Sequence, residues 1–231
     1  MKLEDDHAEL GKWLVRATSD KLLPLSSASS FYMRECRRRL LGAVHEHFHD
    51  QNFSDSDIST CHIIHPKWLI PEGRLKDLPA AQVKQNFTRY LERTGVSKAE
   101  GLLFAGLHGS FDGTGFQLHY HGIVAGDKLD ALRGMNNKFG FASSKDKIYR
   151  PIIFGKLKNP PRQISYCLQN WWPYEPQPPD PLFYGKRRRL PTDAHAEFLL
   201  WMAQQNLMDL IVMNGMRVGK DGLESTRPNT E

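Results

Sequence analysis

The chain has 231 residues, of which 40% are hydrophobic and 10% aromatic, enough apolar material for a real core, so wholesale disorder is excluded. Its net charge of +5 favours an acidic partner such as nucleic acid. Met1 to Gly11 lacks the basic-then-apolar plan of a signal peptide, and Phe198 to Met213 is too interrupted by polar residues to span a bilayer. With three widely spaced cysteines, Cys36, Cys61 and Cys167, a soluble cytoplasmic protein with no membrane partner is expected.

Residues 1–55 read as a helical N-terminal extension in two pieces, parted by Pro24 and the serine-rich stretch 26–30. In the second helix Arg34, Arg37 and Arg38 fall at i, i+3 and i+4. That basic face either lies along phosphates or is simply solvated. The same helix ends in His45-Glu46-His47-Phe48-His49, but residues two apart on a helix diverge by about 200°. A polar helix end is the better reading there than a metal site.

Asp57 to His65 reads as a first core strand, stopped by Pro66, with Cys61 and His65 on one face as packing residues. Residues 71–79 read as a loop. Val83, Phe87, Tyr90 and Leu91 then recur at helical spacing between Pro79 and Gly95.

Two apolar strands follow, Gly101–Phe111 and Phe116–Val124, joined by Asp112-Gly113-Thr114-Gly115. With those four residues as the loop, Phe111 pairs with Phe116 and His108 with His119. Strand alternation then sets His108, His119 and His121 on one face. Three neutral imidazoles with open coordination positions suit a divalent transition metal, though softer or harder ions also fit.

A short helix from Asp127 carries Leu129, Leu132 and Met135, a polar loop spans 136–147, and residues 147–154 resume strand character with Pro151 confining them to an edge or a bulge. Asn159 then caps a helix with Pro160 in its first turn and Ile164, Cys167, Leu168 and Trp171 as its buried stripe. Tyr166 lies off that stripe, close in direction to Arg162 and Gln169, and faces a cleft or solvent. Residues 173–191 read as a proline-rich linker with a basic cluster, Lys186, Arg187, Arg188 and Arg189, that suits either a nucleic-acid backbone or plain solvation. A helical element at 192–218, capped by Thr192, and a disordered tail at 219–231 complete the chain.

A His-hydrophobic-His strand, a hairpin partner carrying a third histidine and a later tyrosine helix together resemble the HUH endonuclease superfamily, in its replication-initiator, single-tyrosine branch. The resemblance covers roughly residues 56–172. It implies an α+β fold, a central antiparallel sheet with helices packed on it in a ferredoxin-like or RRM-like layout, expected here on one side of the sheet. It also implies Mg²⁺ or Mn²⁺ held by His108, His119 and His121, and Tyr166 as the nucleophile that nicks single-stranded DNA and leaves a 5′-phosphotyrosine for rejoining. The setting would be rolling-circle replication of a plasmid or phage, or single-strand transposition. Where the family commonly has Tyr-x-x-Lys, this chain has Gln169, and Arg162 is the candidate substitute for the phosphate grip. No Walker A sequence appears, so unwinding would call on a host helicase.

Two other readings stand beside this one. A non-catalytic module would hold single-stranded nucleic acid on the same sheet through basic and aromatic side chains, with Trp171, Trp172 and Tyr174 either stacking bases or packing. A structural zinc protein fits less well, because Cys61 and Cys167 lack paired spacing.

Overall fold

The computed structural model describes residues 30–51, 53–54, 57–135, 151–169, 171–176 and 188–226. The fold is α+β around a five-stranded antiparallel sheet in the order β4-β1-β3-β2-β5. Its strands are β1 (Ile58–Pro71), β2 (Leu102–Phe111), β3 (Gly115–Ala125), β4 (Ile152–Lys156) and β5 (Ile211–Asn214). The helices are α1 (Ser30–Asp50), α2 (Ala80–Thr94), α3 (Asp127–Met135), α4 (Pro160–Cys167) and α5 (Thr192–Ala203).

The central hairpin has the expected register, with Phe111 opposite Phe116 and His108 opposite His119. The Asp112 carboxylate accepts from the backbone N–H of Thr114 and of Gly115 at 2.8 and 2.9 Å, and Gly113 takes a positive φ of 103°. This is the local bonding by which Asp and Gly close a tight loop.

Helices cover both faces of the sheet, where one covered face was expected. Ile63, Leu103, Ala105, Leu107 and Tyr120 pack with Phe87 of α2, Leu132 of α3 and Phe198 and Trp201 of α5. On the other face Leu102, Phe104 and Ile123 pack with Leu40, Val44 and Phe48 of α1 and Ile164 and Cys167 of α4. The eight consecutive buried residues from Leu102 to Gly109 give the reason, since a strand that is apolar at every position must be covered twice.

β1 does not stop at Pro66 but continues to Pro71. The ladder to β3 breaks between Ile64 and Leu69 and resumes beyond, so Pro66 sits in a bulge, where the missing N–H costs no ladder bond. The bulge feeds His65 and Trp68 into the α2 side, with His65 stacked 5.1 Å from Tyr90. Packing is therefore the role of His65, as its shared face with Cys61 suggested. β4, following Pro151, is an edge strand as Pro151 required.

The C-terminal segment also departs from expectation. Within the expected helical element 192–218, residues 211–214 add β5 to the sheet edge beside β2, and β6 (Met216–Val218) pairs with β7 (Leu223–Ser225), which lies where a disordered tail was expected. Pro191, not Thr192, stands at the N-cap of α5, without a side-chain cap bond. Glu197 of α5 accepts from the backbone N–H of Gly73 at 2.8 Å and of Leu75 at 2.7 Å, and Trp201 Nε1 donates to Leu78 O at 3.0 Å. These bonds tie α5 to the loop before α2, so α5 belongs to the same folded body as the sheet.

The polar loop at 136–147, the first helix before Ser30, and Lys186 and Arg187 lie outside the described residues. Among the described residues no helix is long and apolar enough to cross a membrane.

Candidate metal and tyrosine site

Strand register alone brings four histidines to one face. His121 lies opposite His62 of β1, and His119 lies opposite His108 of β2. Because β3 is flanked on both sides, its two histidines each gain a partner from a different neighbour. The His62 ring stacks on His121 at 4.3 Å and meets the His119 edge at 4.6 Å, and His119 lies 4.9 Å from His121.

The ligating nitrogens of His62, His119 and His121 all fall within 4.8 Å of one another. His108 stands just outside this trio, its ring 4.7 Å from His121, 6.0 Å from His119 and 5.1 Å from Tyr166. The tightest three-nitrogen set therefore takes its third member from β1, where the sequence placed it at His108 on β2. His62 escaped the sequence reading, which singled out its strand neighbours Cys61 and His65. Its only signal was alternation, since position 62 must face opposite to both.

The electrostatics suit a cation. Burial holds His62 down to about 4, and burial, then neighbouring His62 and His108, hold His119 well below the ordinary histidine range. Both rings are therefore neutral near pH 7, the state in which an imidazole binds metal. His119 Nδ1–H donates to Gln117 O at 3.1 Å, which fixes the tautomer and leaves the Nε2 lone pair for a ligand. His62 Nε2 is buried with no hydrogen-bond partner among the described residues. An all-imidazole set with one orphaned ring nitrogen fits a divalent transition ion.

Helix α4 brings Tyr166 onto this face. Asn159 Oδ1 accepts from Arg162 N at 3.1 Å and Pro160 opens the first turn, as the sequence indicated. Ile164 and Cys167 are buried against the sheet, which turns Tyr166 toward the histidines, 4.7 Å from the His121 ring. This close seating rests on Gly106, which lies opposite His121 in β2. A Cβ at Gly106 would come within 1.5 Å of Cys167 O, so only glycine lets the end of α4 rest on the strand.

An open cleft of about 450 Å³ runs along this arrangement. His62 and His121 line it together with Tyr166, Arg162 and Lys158. Lys158, just before the cap, was not singled out in the sequence, yet with Arg162 it gives the cleft two cationic side chains.

Gln169 is placed elsewhere. Helix α4 ends at Cys167 and the chain leaves it through a turn in which Gln169 N donates to Tyr166 O at 3.1 Å, while its side-chain Nε2 donates to Trp171 O at 3.1 Å and Gln169 does not line the cleft. The early helix end also exchanges the tryptophans, with Trp172 buried and Trp171 only half-buried. Arg37 and Arg38 lie half-buried and exposed on α1, and neither lines the cleft; Arg34 has no described side chain. Arg188 O accepts from Tyr174 N at 3.0 Å beside the hairpin end at Phe111, and Arg189 is exposed.

No family model, curated protein or solved structure matches this chain.

Proposed function

We propose that this chain is a metal-dependent enzyme that nicks and rejoins single-stranded DNA through a 5′-phosphotyrosine, similar in plan to HUH replication initiators. The observation that carries the reading is the meeting of Tyr166 with His62 and His121 of the histidine trio in one cleft that also holds Lys158 and Arg162, with His119 buried behind them. A tyrosine alone on a surface would say little. A tyrosine ring packed on a potential metal ligand, beside two cations, has the parts that phosphoryl transfer needs.

His62, His119 and His121 would hold the ion, with His108 beside them. When bound, such an ion draws charge from a scissile phosphate oxygen. Lys158 and Arg162 neutralise the phosphate from the cleft wall and fix its approach. The Tyr166 Oη attacks phosphorus, its proton passing to solvent, while the P–O3′ bond breaks and the departing oxygen takes a proton from solvent to leave as a free 3′-OH. The new P–Oη ester keeps the phosphodiester energy, so a later 3′-OH attacking the same phosphorus restores the strand and frees Tyr166. The partner is single-stranded DNA, at an origin or hairpin of a mobile element, and a separate helicase would open any duplex.

The test is incubation of the full chain with a pool of labelled single-stranded oligonucleotides and Mn²⁺ or Mg²⁺, followed by a denaturing gel. A protein-linked band is expected that disappears in Tyr166→Phe, in His119→Ala and on chelation. Strands bound without any adduct would instead make the chain a non-catalytic single-strand-binding module.

A further inference from the structure

A second cavity, of about 420 Å³, lies on the same face of the sheet and plays no part in the chemistry above. It opens between the last turns of α1 and the first turn of α4. Phe48, Phe53, Ile58, Ile123 and Ile164 give it apolar walls, two of them aromatic, and His45 and His49 add imidazole groups. His49 is exposed and His45 partly so, which leaves polar ring nitrogens where a ligand would enter.

Its position relative to the cleft is informative. Leu157 and Pro160 line the cavity, whereas Lys158 and Asn159 between them line the cleft, so the two spaces lie on either side of one short segment. In β1 the cavity meets Ile58 and the cleft meets Thr60, two residues along the same face and about 7 Å apart. That separation is on the scale of one nucleotide step in an extended strand.

We infer that this cavity receives one unstacked base of the bound single strand, next to the phosphate held in the cleft. The inference rests on the nicking reading for the location of that phosphate. An anionic backbone is drawn to the side carrying Lys158 and Arg162, while the apolar and aromatic walls of the cavity suit the face of a base. The imidazoles of His45 and His49 provide hydrogen-bonding nitrogens for its edge, so the cavity reads base identity at one position next to the nick.

The experiment walks a single abasic residue through a fluorescently labelled single-stranded oligonucleotide and measures Kd for the full chain and for Leu157→Trp, which fills the cavity. In the unmodified protein one abasic position is expected to weaken binding about 5–150-fold, the worth of one stacked base. That penalty disappears in Leu157→Trp and shrinks in His45→Ala, which leaves the cavity walls intact and serves if the larger change prevents folding. If no abasic penalty depends on either variant, the cavity is not a base site. Adduct formation by Tyr166 is read in parallel. An adduct with an unchanged abasic profile overturns the cavity inference alone, and a changed profile without any adduct overturns nicking alone. Failure to bind any single strand overturns both.

Discussion

Gly106→Ala is the sharpest test of how the two halves of the site are joined. The added methyl would stand 1.5 Å from Cys167 O and 2.6 Å from Cys167 C, both backbone atoms of the helix that carries Tyr166. Ordinary contact begins at 3.4 Å, so the carbonyl must retreat by about 1.9 Å. A misplacement of about 1 Å already costs on the order of 100-fold in a positioned reaction, so adduct formation should fall by at least that factor. Overpacking typically costs about 1–3 kcal/mol of stability and more against backbone, which the thermal melts read directly. Gly109→Ala is the control, because its methyl would meet the Trp172 side chain at 2.7 Å on the opposite face, away from Tyr166. A gel time course of the protein-linked oligonucleotide, run beside thermal melts of both variants, separates the effects. A folded Gly106→Ala protein that forms adduct at the unmodified rate would refute the claim that this glycine seats the nucleophile.

Two further outcomes follow from the histidines. His62→Ala should abolish the rise in melting temperature that Mn²⁺ or Ni²⁺ gives, while His195→Ala, an exposed histidine of α5, leaves it intact, and Mg²⁺ should act weakly on an all-imidazole set; calorimetric melts check this, and full metal response in His62→Ala would return the third position to His108. In the metal-free protein, stability should decline as pH falls from about 6.5 to 4. The unfolded chain protonates its histidines near 6.5 whereas His62 and His65 are held to about 4 and His119 below the ordinary range, so the unfolded state binds more protons throughout that window. Urea midpoints at several pH values would show it, and a flat profile would refute the burial argument.

The hairpin was legible because its determinants are local. Asp112 to Gly115 fixes the loop, the loop fixes the register, and the register puts His108 opposite His119. The same is true of the α4 cap, where Asn159 and Pro160 act within one turn. His62 was not legible, because it joins the site only when β1 pairs with β3, and no turn residue announces a partner separated by a helix and another strand. β5 was hidden for a similar reason. Ile211, Val212 and Met213 form a run too short to distinguish strand from the end of a helix, and tertiary pairing with β2 decided it. Gly106 did carry a signal, a glycine inside an otherwise apolar strand, which marks close backbone approach, although nothing local says what approaches.

This contrast separates the site into two parts with different vulnerabilities. The histidines sit on three adjacent strands whose ladders are buried and mutually braced, so their arrangement should survive any change that leaves the sheet intact. Tyr166 depends on a helix of eight residues, too short to be stable alone and held by Ile164 and Cys167 beneath it and by Gly106 under its last carbonyl. Changes beneath α4 should therefore disturb the nucleophile while leaving metal binding intact, and changes in β1 or β3 should do the reverse. A rigid histidine platform with a separately seated tyrosine would also suit the proposed nicking and rejoining, which must run both ways. In that proposal the phosphate would stay held by the platform and by Lys158 and Arg162 of the cleft, while Tyr166 would be first the attacking group and later the leaving group.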